Sequence, residues 1–87
     1  MCRLFAWHSN EEISLAEALG EDFPTFTQLS SLHRDGWGMA IKTLDGIKVE
    51  RDVKAAIDSS LYANVSVKLI SSDAITHLRW ATEDISV

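Results

Sequence analysis

Met1-Cys2-Arg3-Leu4-Phe5-Ala6-Trp7 opens the 87-residue chain with an apolar run that reads as a buried strand, and it sets the only cysteine directly behind the initiator methionine. The small side chain at position 2 permits removal of Met1, which leaves a thiol and a free α-amine on one residue. A thiolate is the attacking species, with a reference pKa of about 8.5, and an α-amine titrates near about 7.7 to 8.0. The amine can therefore take the thiol's proton at neutral pH, directly or through a water. Position 2 then holds nucleophile and base without a separate histidine. The ordinary structural reading of a lone cysteine is a small buried residue at the start of a strand, so the chemical reading needs partners elsewhere in the chain.

Downstream of this strand, Ser9-Asn10-Glu11-Glu12 has the Ser-x-x-Glu form of a capping box. Leu15, Ala18 and Leu19 follow at helical spacing, with Gly20 as a stop. A second helix is expected from Asp22-Phe23-Pro24, with Phe26 and Leu29 facing the core and an end near Leu32-His33. His33-Arg34-Asp35-Gly36-Trp37-Gly38-Met39-Ala40 is a polar turn running into alternation: Trp37, Met39 and Ile41 on one side, Gly38, Ala40 and Lys42 on the other. Asp45-Gly46 then reads as a hairpin turn into Ile47, Val49 and Arg51.

Asp58-Ser59-Ser60 caps a helix in which Leu61, Val65 and Leu69 recur every four residues, and Ser71-Ser72-Asp73 ends it. In the last run, 74–82, Thr76, Leu78 and Trp80 alternate with His77, Arg79 and Ala81, as in a strand with one apolar face. The order strand, helices, two strands, helix, strand is an α+β pattern, with helices stacked on an antiparallel sheet. The chain then stops at Val87 directly after a strand, which reads as an unfinished domain.

The bulk properties narrow the classes. A chain this short is at most one domain with a modest core. A formal charge of −5 without long like-charge blocks opposes a phosphate-backbone binder, so no nucleic-acid role is expected. No apolar stretch reaches the length of a membrane span or has the form of a signal peptide, and the expected compartment is the cytoplasm. A metal site built from Cys2, His8, His33 and His77 matches no compact zinc spacing, so no metal and no cofactor is expected.

Three patches stand out: Cys2, the turn His33-Arg34-Asp35-Gly36-Trp37-Gly38, and Thr76-His77-Leu78-Arg79-Trp80-Ala81-Thr82. In this order they resemble the glutaminase domain of class II glutamine amidotransferases, which are N-terminal-nucleophile hydrolases. The form His-x-Asp-Gly-Trp-Gly is most similar to the stand-alone branch, which includes γ-glutamyl amide hydrolases. The resemblance covers residues 1–87 but only the N-terminal portion of a family domain, and it implies part of a four-layer αββα sandwich.

The resemblance implies roles for matching positions. Cys2 is the nucleophile that attacks a glutamine or γ-glutamyl amide, giving a thioester and ammonia. Arg79 holds the substrate's α-carboxylate, a task that suits the planar two-donor fork of a guanidinium. Trp80 and Thr82 wall the glutamine pocket, and Arg34, Asp35, Gly36, Trp37 and Gly38 form the turn beside the nucleophile. Set against these are ordinary structural readings: Arg79 as a surface arginine on an edge strand, Trp37 and Trp80 as core, His33 and His77 as hydrogen-bonded structural histidines.

The family's glycine after Arg-Trp-Ala-Thr is replaced here by Glu83 and Asp84, which alters the pocket wall. The oxyanion-hole asparagine and glycine, and the acidic residue for the substrate's α-amine, would lie beyond Val87. The resemblance therefore implies an amide hydrolase that is inactive as this fragment. The competing reading is a non-catalytic domain that keeps the fold and binds an amino acid or a partner chain. Either way one sheet face is expected to be left open, for a second copy or a completing chain to cover.

Overall fold

The computed structural model describes residues 2–32 and 34–79, and Cys2 by its backbone alone. Among these, four strands form one antiparallel sheet: β1 (Cys2–Ile13), β2 (Trp37–Thr43), β3 (Gly46–Asp52) and β4 (Ser71–Arg79), in the order β1-β4-β2-β3. Three short helices, α1 (Leu15–Leu19), α2 (Phe23–Gln28) and α3 (Ser60–Lys68), pack on one face of it. The class is α+β, as the residue pattern indicates. No helix among the described residues is long and apolar enough to cross a membrane.

Alternation sets which side of each strand is buried. Trp37, Met39 and Ile41 of β2 pair with Leu78, Thr76 and Ala74 of β4, and Arg3, Phe5 and Trp7 of β1 continue those rows. Leu15, Phe26, Tyr62 and Val65 close over them from the helices. Tyr62 packs edge-on against Trp37 at 5.4 Å, and its hydroxyl lies 2.8 Å from that of Thr27, tying α3 to α2. Burial holds the Tyr62 phenol above its ordinary pKa, so it stays neutral and can keep that bond.

Three expectations are corrected. The first helix does not begin at Ser9: β1 continues to Ile13 through an irregular register, and Ser14 caps α1. Ser14 Oγ accepts the Glu17 N–H at 3.2 Å, while the Glu17 carboxylate accepts the Ser14 N–H at 3.2 Å. Leu61 does not face the core. The buried residues of α3 are Tyr62, Val65 and Ser66, because a helix repeats every 3.6 residues and the stripe drifts off a strict spacing of four.

Ser71-Ser72-Asp73 does not end the helix, which stops at Lys68, but starts β4. The fully buried Ser71 hydroxyl has the Lys42 carbonyl at 2.7 Å and the Asp73 carbonyl at 2.9 Å as acceptors for its one proton and itself accepts the Asp73 N–H at 3.2 Å, which satisfies it inside the sheet. The hairpin lies where expected, with Thr43 paired to Gly46 around Leu44 and Asp45.

No described element covers the opposite face of the sheet. There Ala6, Ile75, Ala40 and Val49 form one apolar row across all four strands, with Leu4 and Ile47 beside it. Leu4, Val49 and Ile47 are 65%, 58% and 70% exposed, so the face is hydrophobic and open among the described residues.

Candidate functional site

The antiparallel register of β1 and β4 sets Cys2 directly opposite Arg79. On the other side of Arg79 the chain entering β2 completes the rung: the Arg79 N–H donates to the Gly36 carbonyl at 2.9 Å, and the Asp35 N–H donates to the Arg79 carbonyl at 2.9 Å. Positions far apart in sequence thus meet at one end of the sheet. Arg79 is not on an edge strand, since β4 lies between β1 and β2. Trp80 and Thr82 lie outside the described residues, as does His33.

Gly36 makes this junction possible. Its φ of +122° lies where L side chains are strained, and a Cβ there would stand 2.6 Å from the Asp52 carbonyl oxygen. Gly38 has a different use. It pairs with His77 on one side and Arg51 on the other, so the open face has no side chain between those two.

Above this end of the sheet opens a cleft of about 670 Å³ lined by Asp35, Gly36, Trp37, Gly38, Arg51, Asp52, Val53, His77 and Arg79. Its size suits a small-molecule site. Of the turn residues, Asp35, Gly36, Trp37 and Gly38 reach the cleft. Arg34 instead makes an exposed ion pair with Asp58 at 3.0 Å, bracing the turn against the start of α3. Trp37 is both core and cleft wall, being only 3% exposed.

The residue pattern alone misses Arg51, Asp52 and Val53, which the β2–β3 register brings in. His77, read from sequence as a hydrogen-bonded structural residue, pairs through its backbone with Leu4 and Gly38, while its side chain has no hydrogen-bond partner among the described residues and lines the cleft. The side chains of Arg51 and Arg79 likewise have no partner there. No cluster of metal-ligating side chains is found among the described residues.

Among the described residues, two carboxylates titrate below the ordinary aspartate value of 3.8. The Ser59 hydroxyl donates to Asp52 at 2.9 Å and the Lys54 N–H at 3.2 Å, and both stabilise the charged form. At the opposite end of the sheet His8 bonds Asp73 at 2.6 Å and the Ser72 hydroxyl donates to it at 3.0 Å, with the same effect. A depressed folded-state pKa contributes stability above the unfolded value, which is lost as pH falls through the folded one. The melting temperature should therefore fall as pH drops below about 4. Asp52→Asn should flatten part of that acid limb in a melting series, and an unchanged limb would contradict the account.

The sequence matches the family model described as glutamine amidotransferases class-II over residues 1–86, and the chain belongs to that family. No curated protein matches it as a relative. The four-stranded antiparallel sheet with helices on one face is compatible with part of the N-terminal-nucleophile hydrolase fold.

Proposed function

We propose that this chain attacks, through Cys2, the side-chain amide of glutamine or of a γ-glutamyl compound. One observation carries the reading: the register sets Cys2 opposite Arg79, with the Gly36 turn bonded to the same residue. A nucleophile position and a carboxylate-binding guanidinium on neighbouring strands suit a substrate whose carboxylate and amide are joined by a short carbon chain.

With Met1 removed, the α-amine of Cys2 takes the thiol proton, and the sulfur bonds to the amide carbon. The carbon–nitrogen bond breaks, and the nitrogen leaves with that proton as ammonia or as an amine. Water then cleaves the γ-glutamyl thioester, releasing the acid and restoring the thiol. Arg79 grips the α-carboxylate by its fork. Trp80 and Thr82 wall the pocket, and the turn of Arg34, Asp35, Gly36, Trp37 and Gly38 shapes the approach to Cys2. The open apolar face takes a second copy or a completing chain.

Intact mass after incubation with a glutamine-mimicking diazo-ketone tests the reading. The expected result is loss of Met1 and a single adduct on Cys2. Retained Met1 with no adduct would overturn it in favour of a non-catalytic domain that binds an amino acid or a partner.

A further inference from the structure

A second cavity opens in the helix layer, between α2, α3 and the 3-10 turn Ala56–Asp58. Its volume of about 370 Å³ has room for a molecule of one or two rings, and it shares no lining residue with the cleft.

The packing of the helices sets its walls. Phe23 and Tyr62 present near-parallel rings, 16° apart in plane with centroids 6.4 Å apart. Ala56, Ala63 and Val67 continue the apolar lining. Among the described residues no lining side chain carries a charge, which disfavours an ion as occupant, because its hydration would be lost with no counter-charge to replace it.

The hydroxyls of the lining settle what polarity remains. Ser59 Oγ donates to Asp52 at 2.9 Å and accepts the Tyr62 N–H at 3.1 Å, and Ser66 Oγ donates to the Ala63 carbonyl at 3.4 Å. Both are therefore committed. The hydroxyls of Thr27 and Tyr62 lie 2.8 Å apart and bond each other, which uses one of their two protons. Whichever of them donates, one O–H is left without an acceptor among the described residues. Tyr62 is only 2% exposed and Thr27 is half-buried, so bulk water serves this corner poorly. Gln28 is exposed, and water serves its amide.

Ring walls, no charge and one spare donor together define a ligand. We propose that this cavity binds a small neutral aromatic compound carrying one hydrogen-bond acceptor, at a site separate from the amide cleft. The assignment does not depend on the amide-hydrolase reading. The two sites nevertheless stand back to back: Tyr62 packs edge-on against Trp37, and Ser59 bonds Asp52, so two residues of this cavity touch two that line the cleft.

Amide NMR titration of the full chain with acetophenone tests the assignment, with benzoate as a charged probe of nearly the same shape. Acetophenone should move the Thr27, Tyr62 and Ala63 amide signals along one saturable curve with a Kd of about 1 mM, as expected of a ligand this small. Benzoate should leave them in place. Ala63→Phe puts a ring into the cavity from an exposed helix position and should abolish the saturable shifts. The double variant Thr27→Val with Tyr62→Phe removes both hydroxyls together, so neither is left unpaired; it should stay folded and bind acetophenone about five-fold more weakly. Arg79→Ala should leave the affinity unchanged.

Shifts that never saturate, benzoate binding as tightly as acetophenone, or full affinity in either cavity variant would overturn the assignment. Loss of binding in Arg79→Ala would overturn it as well, by placing the probe in the amide cleft.

Discussion

Arg79→Ala should slow alkylation of Cys2 by the glutamine-mimicking diazo-ketone roughly a hundred-fold and leave the melting temperature where it is. A hydrogen bond to a charged group contributes about 1.5–3 kcal/mol, and a guanidinium offers a carboxylate two, so losing the fork costs about 3 kcal/mol at an exposed rim. Stability is untouched because the Arg79 side chain is exposed and has no partner among the described residues. The sheet uses only its backbone, through the bonds to Gly36 and Asp35, and alanine keeps both. Arg79→Lys retains the charge without the planar fork and should recover only part of the loss. The alkylation rate beside a thermal melt checks the pair. A large fall in melting temperature would mean that Arg79 is a structural residue, and an unchanged alkylation rate would remove it from substrate binding.

Much of this architecture can be read from period-two alternation. Trp37, Met39 and Ile41 announce the buried side of β2, and Leu78 and Thr76 that of β4, because one covered face forces strict alternation. Local signals mislead where two frames compete. Ser9 to Glu12 and Ser14 to Glu17 both spell a capping box, and pairing of Ile13 with Ser71 in the sheet selects the second. In the same way the serines before Asp73 resemble a helix end until Lys42 supplies a buried acceptor in the sheet.

The candidate site is legible as three motifs but not as a place, because pairing of Cys2 with Arg79 is a long-range register that no local pattern encodes. Arg51 shows the limit most clearly. It sits in an unremarkable alternating strand, and only its pairing with Gly38 carries it to the cleft.

Gly36→Ala separates the frame of the candidate site from its chemistry, and its expected effect is a large loss of stability. At φ +122° an alanine costs about 1–3 kcal/mol in backbone strain alone. Its Cβ would also meet the Asp52 carbonyl at 2.6 Å and the Val53 Cα at 3.3 Å. Both neighbours are backbone, so no rotamer change relieves the clash, and β3 must move away from the turn. A combined loss of about 3 kcal/mol or more is a large share of the stability of a domain this small. It corresponds to a fall in melting temperature of roughly 12 °C or more.

The rate of Cys2 alkylation should fall with it, since the displaced Gly36 carbonyl is the acceptor that holds the Arg79 backbone in register with Cys2. Gly38→Ala is the control. Its Cβ would come no closer than 4.0 Å to that of Arg51, so the fold should hold, while a methyl group rises from the floor of the cleft. Its melting temperature should stay within about 2 °C of the parent, as expected for a substitution without strain or clash. Ligand affinity should drop all the same. Equal melting curves for the two variants would show that neither the positive φ at Gly36 nor its approach to Asp52 holds this end of the sheet together.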